Sequence, residues 1–334
     1  MYEIRSAGPK GLGVFAKSLI PRGTRIFSER PLLSLRPDQS SSDIYTVSRL
    51  LPPKHRASLL SLSSHITSEL RFLRWNQALW YTLKALLKNF PYLLPRYCHF
   101  EPQRPGAFST RNSLREHVDV LSIFRSNSFN VNSEGIYQAV FEGISRINHA
   151  CVPNSQGNWS EGSGRFNVHA TRDIAKDEEV SLSYLSDFAA LREARVEKLR
   201  SGYGFDCGCP ACDLGSESGR IGEEKRVGVR TLLGNYAESV KGGGDIDPNR
   251  ELDTMMQFIK MLEGEAITGR EVASMYLEVA ELNEGLGRRE EALRCAERAE
   301  EIDRACLGTD HEGYETTRKF VDRLRGETGK TYEL

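Results

Sequence analysis

The sequence predicts an α+β fold: small β-sheets split by a helical insertion, a short metal-binding cysteine segment, and a helical C-terminal region. Three observations carry this. Apolar residues alternate at Leu12 and Val14, and again at Phe166, Val168 and Ala170, which is the spacing of half-buried strands. Apolar residues near a 3.6 period fill 66–87, 110–125 and much of the chain after residue 250. Between the last strands and that tail, Cys207, Cys209 and Cys212 form C-x-C-x-x-C, a metal half-site short of one ligand.

Bulk properties bound the function. A chain of 334 residues fits two domains, or one domain with a helical appendage. The net charge is −1, so no basic field gathers nucleic acid and no direct nucleic-acid binding is expected. No apolar run approaches the ~20 residues of a membrane span. The opening MYEIRSAGPKG lacks the apolar stretch of a secretory signal. Of the seven cysteines, four fall in a metal-like set, which fits a reducing compartment better than a disulfide framework. The expected location is therefore nucleus and/or cytoplasm. Cys98, Cys295 and Cys306 have no partner spacing and read as core or surface thiols.

Taken in order, GLGVFA (11–16) formally fits the dinucleotide fingerprint G-x-G-x-x-A. That fingerprint needs a helix directly behind it, to set a phosphate on the helix N-terminus. Pro21 and Gly23 follow instead, and both break helices. Leu12, Val14, Ile20 and Ile26 read as strands with a turn between, and the nucleotide reading fails. Glycines at 11 and 13 leave room for backbone to approach a ligand. The block from Pro37 to Arg125 is helical: one long amphipathic run from about residue 64, stopped by Pro91, and a second helix over 110–125 with Thr110 as N-cap. Trp75, Trp80 and Tyr81 on the long run read as core. Strands return at 166–170 and 180–184, separated by the charged turn KDEE, which by itself reads as a solvated loop. A helix leads into the cysteines. SESGRIGEEKR reads as a polar linker and GGGDIDPN (242–249) as a loop. The tail is helical, and Ala280, Ala292, Ala296 and Ala299 with the Gly285-x-Gly287 turn resemble a tetratricopeptide helix pair.

Residues 146–155, RINHACVPNS, give the cysteines their context. Cys151 is the obvious fourth ligand, with His149 as its rival. Asn148-His149-x-Cys151-x-Pro153-Asn154 matches the N-H-x-C-x-P-N signature of SET-domain protein methyltransferases, and the chain most resembles their SMYD-like branch. The resemblance runs from the N-terminus to about Asp213, with a gap. It covers the G-x-G turn, Asn127-Ser128-Phe129, the signature, the D-E-E-V turn ending in Tyr184, and the post-SET cysteines. The family's MYND zinc finger is absent, because 37–125 holds one cysteine.

The resemblance implies a SET-domain fold with its N-terminal part at 1–36, a helical insertion without metal at 37–125, and its C-terminal part at 126–190. A post-SET zinc module follows at 191–214, then a tetratricopeptide-like helical region at 222–334 that packs beside the core and limits access to it. It implies transfer of methyl groups from S-adenosylmethionine to a lysine of a histone or non-histone protein, by a chain expected to be monomeric. Tyr184 takes the catalytic place. Phe129, Tyr184 and Tyr203 would wall a lysine channel. Leu12, Gly13, Asn148, His149, Tyr184 and Phe205 would hold the donor. Cys151, Cys207, Cys209 and Cys212 would bind one structural zinc, and the family's use of that position favours Cys151 over His149. The competing class is a non-catalytic SET-fold scaffold acting through its helical region; retention of Tyr184, Asn148 and His149 argues for the enzyme.

Overall fold

The computed structural model describes residues 1–40, 43–72, 75, 107–131, 137–241 and 247–326. They fall into two compact units. The first contains Met1–Arg30, Arg146–Leu199 and Asp206–Leu334; the second contains Pro31–Ser145 and Arg200–Phe205.

The first unit opens with β1 (Tyr2–Ser6) and β2 (Leu12–Ala16), joined by one 3₁₀ turn. Gly11 closes that turn at φ +83°, a left-handed conformation that glycine adopts without steric cost. No helix follows, so the nucleotide fingerprint is a hairpin. Strand order in the first sheet is β1-β2-β10-β7, with β7 at Asn148–His149 and β10 at Glu179–Leu182. β7 and β10 run parallel, pairing Ser181 with Asn148 and Leu182 with His149. A second sheet has the order β3-β9-β8, from Arg25–Glu29, Arg165–Ala170 and Ser155–Ser160. Val14, Ile20, Val168, Ile174 and Val180 are fully buried and form the apolar centre of this unit.

Alternation along β9 predicts one exposed face. Instead Phe166 through Ala170 are all buried. The reason is tertiary: α8 (Arg289–Leu307) packs on β8 and β9. Helices α4 (Arg192–Tyr203), α5 (Glu217–Lys241), α6 (Pro248–Gly264), α7 (Arg270–Gly285) and α9 (Glu312–Arg325) complete the set. The small residues foreseen between the tail helices do their work, since Ala280, Ala292, Ala296 and Ala299 are fully buried.

Two local expectations are corrected. All of SESGRIGEEKR but its first serine is the opening of the 25-residue helix α5, not a linker. Pro248 and Asn249 begin α6 rather than close a loop; Asp247 caps that helix, accepting from the Asn249 amide at 3.0 Å.

The second unit pairs β4 (Leu33–Leu35), β6 (Gln138–Val140) and β5 (Phe129–Asn130). Against them lie α1 (Ile44–Arg49), α2 (Pro53–Leu60) and α3 (Ala107–Asn127), around Ile44, Leu59, Ile123 and Phe124. α3 includes the expected helix over 110–125 but begins at Ala107, so Thr110 is not its cap. The long run expected from about residue 64 is helical at 68–72; most of its remainder, with Trp80, Tyr81 and Cys98, lies outside the described residues. Trp75 is 64% exposed, which corrects its reading as core.

Candidate active site and metal centre

The signature strand and the strand before Tyr184 are neighbours, so the motifs meet through backbone pairing. Pairing stops at Leu182. Tyr184 therefore lies two residues past the strand rather than at its end. The first sheet holds Asn148 at its other flank: its Nδ2 donates to the Leu12 carbonyl at 3.1 Å and to Glu179 Oε1 at 2.7 Å. Lys10 Nζ reaches Glu179 Oε2 at 2.7 Å. A Cβ on Gly13 would fall 2.6 Å from Glu179 Oε1 and 2.9 Å from Asn148 Nδ2. The missing side chain at 13 thus makes room for an amide–carboxylate pair within the protein itself. Leu12 is exposed beside it.

The KDEE turn is not merely solvated. Glu178 accepts from Asn154 Nδ2 at 3.0 Å and from the Ala175 amide at 2.9 Å, and pairs with Arg172 at 2.5 Å. Asn154, the last residue of the signature, also accepts the Ser181 amide at 2.8 Å and donates to the Glu179 carbonyl at 2.9 Å. It is a buried clamp holding the signature loop to β10. Sequence reasoning assigned roles to neither Glu178, Glu179 nor Asn154, and only the signature marked the last.

Tyr184 donates its hydroxyl to the Ile147 carbonyl at 2.7 Å, and its backbone amide donates to His149 Nδ1 at 3.0 Å. The two rings sit 5.3 Å apart, tilted by 47°. Burial pushes the His149 imidazole down to about 4, so it is neutral near physiological pH. Of the remaining candidates, Phe129, Tyr203 and Phe205 belong to the second unit. There Phe129 meets Phe141 edge-on at 5.8 Å, and the Tyr203 and Phe205 rings lie 6.5 Å apart. Burial raises the Tyr203 phenol above its ordinary range.

The four predicted cysteines come together. The sulfurs of Cys151, Cys207, Cys209 and Cys212 all lie within 4.8 Å of one another. Cys151 Sγ is 3.9 Å from that of Cys207 and 3.5 Å from that of Cys212. Tetrahedral zinc at ~2.3 Å from each sulfur requires edges of about 3.8 Å, so the set fits the ion. Crowding divides the thiols. Hydrogen bonds with Cys151, Cys207 and Cys212 hold Cys209 below the ordinary thiol range, and those with Cys207, Cys209 and Cys212 push Cys151 above it. One divalent cation resolves that conflict by taking all four as thiolates. His149 is not in the set. Cation support comes from the side: buried Arg195 points Nη2 at the Ala211 carbonyl, 2.9 Å, and at Cys212 Sγ, 3.7 Å. Its Nη1 pairs with Glu223 of α5 at 3.3 Å.

A family profile for the SET domain matches residues 11–185. The chain is similar to the histone-lysine N-methyltransferase set5 of Schizosaccharomyces pombe, 25% identical over 326 residues, which cover 97% of this chain and 85% of that protein. It is similar to SET5 of Meyerozyma guilliermondii, also named a histone-lysine N-methyltransferase, 30% identical over 129 residues, 38% of this chain and 26% of the relative. It is similar to the protein-lysine N-trimethyltransferase SMYD5 of Mus musculus, 33% identical over 114 residues, 34% of this chain and 27% of the relative. The chain thus spans most of one relative, and its matched part about a quarter of the other two. With a SET profile over more than half of its 334 residues and the signature strand seated beside the strand that leads to Tyr184, this chain belongs to the SET-domain family.

Proposed function

We propose that this chain is an S-adenosylmethionine-dependent protein-lysine N-methyltransferase, acting as a monomer on a histone or non-histone protein in the nucleus or cytoplasm. The observation that carries the reading is the parallel pairing of β7 with β10, which brings Asn148 and His149 to the strand leading to Tyr184. The family and the names of its relatives agree with it. Among the described residues, no helix is long and apolar enough to cross a membrane.

The donor supplies a sulfonium-bound methyl group for in-line displacement by an amine. What the protein must do is bind, orient and keep the amine neutral. A free lysine, with a pKa of ~10.4, is nearly all protonated at neutral pH. Burial in an apolar channel and a neighbouring positive charge both lower that value. Phe129, Tyr184 and Tyr203 are the residues assigned to the channel, and its walls would also exclude water. The Tyr184 hydroxyl spends its proton on the Ile147 carbonyl, which leaves its oxygen lone pairs for the reacting centre. Leu12, Gly13, Asn148, His149 and Phe205 would hold the donor, Asn148 already fixed by Glu179 and the Leu12 carbonyl. Aligning two reactants in one site supplies much of such a rate enhancement. Zinc, held by Cys151, Cys207, Cys209 and Cys212, would tie the signature loop to the post-SET segment and take no part in the chemistry.

The test is incubation of purified protein with radiolabelled donor and a proteome lysate, followed by mapping of the labelled residue. Label on a lysine, absent with Tyr184→Phe, is the expected result. No label, or label independent of Tyr184, overturns the proposal.

A further inference from the structure

We propose that the His149 side chain is a positioning residue that couples the four-cysteine metal site to Tyr184. The inference rests on the reading of Tyr184 as catalytic; the family resemblance has His149 hold the donor largely through its backbone, and this adds a role for its imidazole.

The geometry has three links. Strand pairing between β7 and β10 ends at Leu182, with one further bond from the Ala150 amide to the Leu182 carbonyl at 3.0 Å. Beyond that point the imidazole takes over: His149 Nδ1 accepts the Tyr184 amide at 3.0 Å. A backbone N–H can only donate, so Nδ1 presents its lone pair. The proton of the neutral ring is then on Nε2. That nitrogen lies 3.4 Å from Cys151 Sγ, within hydrogen-bond range for sulfur. A metal-bound thiolate is a better acceptor than a thiol. Metal at Cys151 therefore strengthens the bond that orients the ring, and the ring orients the backbone of Tyr184. The histidine is buried, so solvent does not compete for either nitrogen, and the Leu182 backbone is a further group that meets the ring. Groups that orient a metal ligand typically change affinity or activity by ~10–100-fold when lost.

Two amide substitutions separate the links. The Oδ1 of asparagine falls where Nδ1 stands, so His149→Asn keeps an acceptor for the Tyr184 amide and loses the donor to sulfur. The Nε2 of glutamine reaches the place of the histidine Nε2, so His149→Gln keeps the donor to Cys151 and loses the link to Tyr184. Zinc retention is measured by chelator competition, the methyl-transfer rate by single turnover at saturating donor, and donor affinity by calorimetry. His149→Asn is expected to lose zinc about tenfold or more readily than His149→Gln. His149→Gln is expected to be about tenfold or more slower than His149→Asn at equal donor affinity. Variants that decline together in both measurements make His149 an ordinary core residue and overturn the proposal. A second reading needs no variant: imidazole nitrogen NMR of the zinc-loaded parent is expected to show the proton on Nε2, and a proton on Nδ1 also overturns it. If the parent transfers no methyl group, the functional reading fails, while zinc retention and the tautomer still decide the coupling to the metal.

Discussion

Tyr184 and Gly13 show what single atoms carry. Tyr184→Phe removes one oxygen and the bond to the Ile147 carbonyl, but keeps the ring and its contact with His149. The melting temperature should change little. The methylation rate should fall by ~10²–10³, the usual cost of losing one polar contact to a reacting centre in a water-poor site. Single-turnover kinetics beside donor calorimetry checks this: an unchanged rate removes Tyr184 from the mechanism. Gly13→Ala acts differently, because its Cβ would meet Glu179 and Asn148 at 2.6 and 2.9 Å. Both groups must shift, so donor affinity should drop by about tenfold while the zinc content stays at one per chain. Affinity equal to the parent would show that the Asn148–Glu179 pair does not shape the donor site. Asn148, Tyr184 and the four cysteines were legible because their spacing along the chain is itself a motif. Glu179 was not. It sits in a run of charges that looks solvated, and its meaning depends on Lys10, 169 positions away.

The elements around the metal show where local sequence misleads. α5 carries Gly219, Gly222, Gly228 and Gly234, each unfavourable in a helix by about 1 kcal/mol relative to alanine. Intrinsic preference therefore argues for a linker. Packing overrides it at two of them: an added side chain at Gly222 would meet Glu265, and at Gly219 the Asp213 carbonyl, while Gly228 and Gly234 face open space. Glu223 of α5 then pairs with Arg195 of α4 and accepts the Arg192 amide at 2.7 Å. Arg192 Nε in turn donates to the Cys212 carbonyl at 2.7 Å. The metal loop is thus held between two helices by one carboxylate and two arginines. Arg195 is only 2% exposed and also leans on Cys212 Sγ, so Glu223→Gln removes one of two anionic partners of a buried guanidinium. Breaking a fully buried pair from one side costs roughly 3 kcal/mol or more, and with the sulfurs still in place the loss here should be smaller, about 1–2 kcal/mol. Urea unfolding should show a loss of about that size, with faster zinc release to a chelator. A midpoint unchanged from the parent would show that Arg195 is satisfied by the Ala190 and Ala211 carbonyls and Cys212 Sγ without Glu223.

At the scale of the first unit, the helical tail and the second sheet are one body. The Arg270 amide is capped by Gln156 of β8 at 2.5 Å, Asn158 donates to the Cys306 carbonyl at 3.1 Å, and His311 meets the Trp159 carbonyl at 2.9 Å. Removing the tail would bare β9, so truncation cannot isolate any effect of the tail on substrate access. The alternating pattern of β9 gave no sign of this, because the second cover comes from residues more than a hundred positions later. His169 lies inside that seam. Arg25 Nε donates to its Nε2 at 3.1 Å, and Asp310 and His311 face it from the tail. Burial, with the Arg25 charge against it, pushes the imidazole from 6.5 down to about 4. In the unfolded chain the ring takes its proton first as pH falls, since its value there is the ordinary one. Stability is therefore full above about 6.5, is lost as pH falls toward about 4, and levels off below. The displacement corresponds to a loss on the order of 3 kcal/mol. Asp310 adds to it at the acid end, because its hydrogen bond to Arg25 holds its carboxyl below the ordinary range. Zinc release by protonated cysteines also lowers stability in acid, so the comparison must be with a variant. His169→Gln keeps an acceptor for Arg25 and removes the titration. Melting temperatures followed from about pH 7 to about pH 4 should fall more steeply in the parent than in His169→Gln, with the zinc contribution common to both. Parallel curves would mean that the seam opens to admit the proton without loss of fold, and that the docking of α8 on β9 does not depend on a neutral His169.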